Sequence, residues 1–190
     1  MSQEYPTKEN LPADQEINDP MPNPCLKCVT TGTLEATTGE RMFRGPKGVN
    51  LFHGNWSHLA WDSENARFIP SPKGETPFGI YQLTEEVVLA QVFEGFGKDI
   101  KSLCWTEDQI ITFLQKHPEL LNLETPRKSN ALFLYKVIHD KGENAGEENF
   151  FVADVGVDQY GEFHNDVLIL DGNYGLRPDQ RFLIVVPIVS

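Results

Sequence analysis

Long apolar runs are missing from this 190-residue chain: nothing approaches the roughly 18 uninterrupted apolar residues that a membrane-spanning helix needs. The opening Met1-Ser-Gln-Glu-Tyr-Pro6 lacks the basic start and apolar stretch of a secretory signal. The expectation is a soluble, cytoplasmic protein with no membrane contact. Basic residues are scarce, with 16 Lys and Arg against 28 Asp and Glu and a formal net charge of −12. Such a field repels phosphate backbones. The densest basic stretches, Arg41-Met-Phe-Arg44 with Lys47 and Arg127-Lys128, are too small to reverse it, so nucleic acid is not expected as a partner. Cysteine is equally sparse: Cys25, Cys28 and Cys104 are an odd set in a long chain, which excludes a disulfide framework and fits reducing surroundings. Phosphate-cradling loops are missing too. Gly45-Pro-Lys-Gly48 lacks the G-x-x-x-x-G-K-[ST] order, and no G-x-G-x-x-G stands between a strand and a helix.

What the chain does have is core material. Apolar residues make up 39% and aromatics 11%, which places it among globular rather than disordered chains. Its length suits one domain with a tail. Residues 1–29 read as a disordered or extended N-terminal arm, because Pro6, Pro12, Pro20, Pro22 and Pro24 deny backbone donors and acidic residues stand between them. Residues 30–190 read as a single domain. Within it, 30–77 is irregular and aromatic-rich, and 78–190 forms the regular core. The threonine-rich run from Thr30 to Thr38 favours strand or turn.

The fold class expected is α+β, two short helices packed on an antiparallel, meander-like sheet. Thr84 followed by Glu85 and Glu86 predicts a helix start, with Gly95 or Gly97 as its end. Thr106-Glu-Asp-Gln109 is a capping box, Trp105 and Ile110 occupy the staple positions, and Ile110, Phe113 and Leu114 form one stripe of a second helix. Residues 131–138, 149–157, 167–170 and 181–186 are rich in β-branched and aromatic residues and predict strands. The connections between the first three are too short for helical crossovers, hence the meander. The last strand, with Phe182, Ile184 and Val186 alternating with Leu183 and Val185, is apolar on both faces and predicts cover on both sides.

Candidate chemistry is thin. Cys25-Leu-Lys-Cys28 has the spacing of a zinc knuckle, and with His53 and His58 it makes a nominal four-ligand zinc set, although 24 residues separate Cys28 from His53, more than a compact finger allows. Cys104 next to a histidine would give a nucleophile and a base, yet Leu103 and Trp105 flank it and suggest a buried thiol. Asp154, Asp158, Glu162, Asp166 and Asp171 do not reproduce a calcium loop and read as turn carboxylates, with a carboxylate pair for glycoside chemistry as the alternative. His117 falls at a helix end, and His139 and His164 fall in turns. Phe52, Trp56 and Trp61 are the best candidates for a contact surface, since interfaces favour aromatics.

Gln91-Val-Phe-Glu-Gly-Phe-Gly97, Leu103 to His117, Ala131-Leu-Phe-Leu-Tyr-Lys-Val137, Phe150-Phe-Val-Ala153 and Arg181-Phe-Leu-Ile-Val-Val-Pro187 together resemble the core of a group of small, uncharacterised bacterial proteins from environmental, reduced-genome lineages. The likeness covers about residues 78–187. It departs from the group at Pro118-Glu-Leu-Leu121, where a tryptophan–leucine pair is usual, and at Arg181-Phe182, where a histidine is. The resemblance implies a shared fold and assigns no site residue. Three functional expectations follow: an interaction or accessory protein with a protein partner, a small hydrolase-like enzyme built around His53, His58 or Cys104, and a zinc-stabilised binding module.

Overall fold

The computed structural model describes residues 19–37, 66–67, 74–117, 130–139, 145–157, 163–171 and 173–189. Phe52, His53, Trp56, His58 and Trp61 lie outside them, as do residues 1–18 of the arm.

The described chain is α+β. Its main sheet runs in the order β1 (Leu26–Leu34), β3 (Thr76–Leu83), β9 (Leu183–Pro187), β5 (Ala131–His139), β6 (Glu148–Val157), β7 (Phe163–Ile169), with the two-residue β2 (Ala66–Arg67) beside β5. The β5–β6–β7 portion is the expected meander, antiparallel throughout. The rest is not a meander. Strand β9 returns to the centre, antiparallel to β3 and parallel to β5. Its five residues are all buried, as apolar side chains on both faces demand.

Each face of the sheet has its own cover. On one, Ile110, Ile111, Phe113 and Leu114 of helix α2 (Glu107–Lys116) pack on Phe78, Phe133, Phe151 and Val185. On the other, Leu89, Val92 and Phe93 of helix α1 (Leu89–Glu94), Leu103 of a short 3-10 turn (Ile100–Leu103) and Met21 pack on Tyr81, Leu132, Val152 and Ile184.

Helix α2 starts where the capping box places it. Thr106 Oγ1 accepts from the Gln109 N–H at 3.3 Å, and Gln109 Oε1 accepts from the Thr106 N–H at 3.0 Å. Gln109 is buried, and its amide nitrogen goes on to donate to Thr76 Oγ1 at 2.9 Å, fastening the helix start to β3. Helix α1 is shorter than its sequence suggests. The β-branched pair Val87–Val88 forms strand β4, which pairs with β8 (Gly175–Leu176), so Val88 rather than Thr84 is the N-cap; the helix ends at Gly95 as expected.

Strand β1 begins at Leu26, inside the segment read as arm. Met21, Cys25, Leu26 and Cys28 are buried there, and apolar burial offsets the ordering of the proline-spaced chain. A bulge at Val29 divides β1: Cys28 pairs with Tyr81 and Thr30 with Ile80. The extra residue reverses the alternation, so Leu26 and Cys28 join the α1 side of the sheet while Leu34 joins the α2 side. Gly32 lies after the bulge under the Phe78 ring, where a Cβ would stand 2.5 Å from Cζ.

One edge of β5 is filled in sequence by three different segments. Ala131–Phe133 pair with β9, Tyr135 bridges Trp105 in parallel, and Ile138–His139 pair with β2. The Trp105 N–H donates to the Leu134 carbonyl at 2.7 Å, and its indole Nε1–H donates to the Val185 carbonyl at 2.8 Å. Trp105 therefore completes the sheet in the gap that β9 leaves.

Candidate functional site

The proline-flanked segment from Asp19 to Cys25 lies against the α1 side of the sheet, held by side chains that replace regular backbone pairing. Asn23 Nδ2 donates to the Val92 carbonyl at 2.8 Å, while its Oδ1 accepts from the Cys25 N–H at 3.1 Å and from Cys25 Sγ at 2.9 Å. Asp19 Oδ1 accepts from the Met21 N–H at 2.9 Å and from the Tyr81 hydroxyl at 3.1 Å. The Asn23 amide fits against Gly95, where a Cβ would meet it at 2.8 Å.

This seat buries the Cys25–Cys28 pair. Burial pushes both thiols above the ordinary range, with Glu85 adding to the effect at Cys25 and Asp19 at Cys28. Tyr81 is raised in turn, by burial first and then by Asp19, so its hydroxyl stays a donor. Zinc and redox chemistry both use the thiolate; here both thiols are buried, and that of Cys25 donates to Asn23 Oδ1. Among the described residues, no three His, Cys, Asp or Glu groups converge as a metal set. The other two members of the nominal zinc set, His53 and His58, are outside the described residues.

Cys104 follows the 3-10 turn, and its Sγ donates to the Ile100 carbonyl at 3.4 Å. Burial pushes its pKa up to about 12 against the opposing charge of Lys136. Next to it, Glu148 bridges Lys101 at 2.6 Å and Lys136 at 2.9 Å, tying the turn to the start of β6. Both lysines hold the Glu148 carboxyl below the usual range, Lys101 most strongly. A thiol so disposed is a poor nucleophile at neutral pH.

A further pair of carboxylates meets across β6 and β7. Asp154 and Asp166, read as turn carboxylates, are instead directly opposed Cα partners in the antiparallel ladder between β6 and β7; only Asp171 of that series sits in a described turn. Asp158 and Glu162 lie outside the described residues. Asp154 is half-buried, and its Oδ1 has no hydrogen-bond partner among the described residues. Burial pushes its pKa up to about 6, the Asn130 side chain opposes this, and the Asp166 charge adds to it. The signal was present in the sequence: period-two alternation through β6 sets Asp154 on the same face as Val152, which is core.

The histidines divide likewise. His117 closes α2, with its ring centroid 4.8 Å from that of Phe113 and 5.6 Å from that of Phe78. His139 and His164, assigned to turns by sequence, stand in strands β5 and β7 at the positions opposite Ala66 and Gly156. Comparison of the chain with protein-family models, with curated proteins and with solved structures finds no match.

Proposed function

We propose that this protein is an interaction or accessory protein that receives an extended, basic segment of a protein partner along strand β7. The observation that carries the reading is the outer edge of that strand. Among the described residues no strand pairs beyond β7, and Ile169, at its end, is 45% exposed. An edge strand displays main-chain donors and acceptors in a row, the arrangement to which an extended peptide adds as a further strand. The opposite edge, β1, is interrupted by its bulge, a feature that blunts edge pairing. A net charge of −12 favours a basic segment over an acidic one. Phe52, Trp56 and Trp61 supply a second, sequence-based candidate contact.

Affinity recovery from the native cell, performed with the full chain and with Ile169→Lys, tests the reading. A lysine on the edge opposes strand addition and repels a basic segment. Loss of one specific partner, with the circular dichroism spectrum and unfolding midpoint kept, supports the reading. Undiminished recovery with Ile169→Lys, combined with loss in Trp56→Ala/Trp61→Ala, moves the contact to the aromatic segment and sinks the edge.

A further inference from the structure

We infer that the docking of edge strand β7 onto β6 is proton-linked, with the opposed carboxyls of Asp154 and Asp166 forming a device that tightens the sheet edge in mild acid and loosens it at neutral pH. The inference concerns the ladder itself and stands whether or not a partner adds to β7.

Three observations combine. First, Asp154 and Asp166 are direct partners in an antiparallel ladder. Side chains at directly opposed positions on one face stand about 4.5–5.5 Å apart at Cβ, and like charges so placed are destabilising. Second, the two are unequal. Asp166 is exposed and keeps its water, whereas Asp154 lies on the face that carries Val152 and Leu168 and buries Oδ1 without a hydrogen-bond partner among the described residues. A buried carboxylate oxygen left unpaired is an expensive group, and a proton taken from solvent removes the charge and supplies an O–H that can point at the Asp166 carboxylate. Third, the pair sits between the last two strands of the sheet, and β7 has a neighbour on one side only among the described residues. Repulsion in the centre of a sheet would be borne by two ladders; here one ladder carries it.

The surroundings of Asp154 set the direction. From β5 it faces Leu132, its Cα partner, and the Asn130 side chain, which favours the ionised form. From β7 it faces Asp166, with His164 and Leu168 at the register positions on either side. Burial and Asp166 outweigh Asn130 and raise the Asp154 pKa from 3.8 to about 6. A carboxyl whose folded pKa lies above its unfolded one binds its proton more tightly when the ladder is closed. Closure is therefore favoured as pH falls through the folded value, and the gain is lost as pH rises above it. Between pH 7.5 and pH 5 the closed-to-open ratio should rise about tenfold.

The test is amide hydrogen exchange on the full chain at pH 5 and pH 7.5, corrected for intrinsic exchange. Amides of β6 and β7 are compared with those of β1 and β3 as an internal reference. Protection of the β7 amides is expected to be about tenfold higher at pH 5 relative to the reference. In Asp154→Asn that difference should vanish, with protection high at both values. Equal protection at the two pH values in the parent chain, or the same pH response in Asp154→Asn, overturns the inference. Should Asp154→Asn fail to fold, a carboxyl titration by nuclear magnetic resonance decides: Asp154 is expected to titrate near 6 and to move down in Asp166→Asn. A midpoint in the ordinary carboxylate range near 4 in the parent chain refutes it.

Discussion

Replacing Trp105 by phenylalanine probes the joint at which the two halves of the sheet meet. The indole of Trp105 is 2% exposed and reaches across to the Val185 carbonyl at 2.8 Å, while its backbone is fastened to Leu134. Its ring stands among Phe113 and Phe133, each with a centroid 6.1 Å away. Trp105→Phe keeps an aromatic ring and removes the N–H donor and part of the indole volume. A buried carbonyl deprived of its donor costs about 1–3 kcal/mol, and the unfilled space adds about 1 kcal/mol, so the expected loss is about 2–4 kcal/mol. That is a large fraction of an ordinary domain's stability, about 5–15 kcal/mol. Urea unfolding followed by far-ultraviolet circular dichroism is the suitable assay, because Trp56 and Trp61 confuse a fluorescence readout. The midpoint should fall with the slope unchanged. A loss below about 1 kcal/mol would show that the indole bond contributes little, and that packing alone seats Trp105 beside β5.

Other perturbations separate backbone, cap and thiol. Gly32→Ala puts a Cβ 2.5 Å from Phe78 Cζ, and Phe78 is itself hemmed in by Phe113 at 5.1 Å, so a loss of about 1–3 kcal/mol is expected; the double variant Gly32→Ala/Phe78→Leu should recover part of it in a double-mutant cycle. Thr106→Ala should cost about 1 kcal/mol in chemical denaturation. Gln109→Ala should cost more than Thr106→Ala, because Gln109 also holds Thr76; equal losses would deny the link to β3. With its pKa near 12, Cys104 should react with iodoacetamide at pH 8 about a thousandfold more slowly in the native protein than in denaturant, and peptide mass spectrometry that finds comparable rates would contradict its packed setting.

The parts of the fold that depend on neighbours in sequence were legible in it. The Thr106–Gln109 box and the Trp105–Ile110 staple act within one turn, and α2 starts where they place it. The double-faced apolar pattern of residues 182–186 correctly implies burial on both sides. Its neighbours were not legible, because parallel pairing of β9 with β5 joins residues about fifty positions apart and leaves no local pattern. Strand β1 was obscured by its bulge: a threonine run whose alternation reverses at Val29 presents neither strand face cleanly. The opening of α1 was misjudged because Thr84 with Glu85 and Glu86 is a sound helix start, yet Val87–Val88 gain more by pairing with β8. For the site, spacing alone singled out Cys25 and Cys28, but spacing carries no information on burial, which raises the pKa of both thiols. Asp154 falls inside the predicted strand 149–157, but its opposition to Asp166 depends on the register between β6 and β7, which no local pattern gives.

The central place of β9 also bears on the order in which the molecule can be made. Among the described residues, 183–187 form the only strand that pairs with both the β1–β3 pair and the β5–β6–β7 group. During synthesis from the N-terminus each group can form early, but the two cannot be zipped together until residue 187 has left the ribosome. Until then β3 and the first residues of β5 each present unpaired main-chain donors and acceptors to the other and to every neighbouring nascent chain. The closing step joins segments more than a hundred positions apart, Phe78 to Pro187 among them, and loop closure of that span is slow. A chain halted before residue 183 would therefore hold two half-sheets with exposed edges, a species more prone to aggregate than either the finished fold or the unstructured polypeptide.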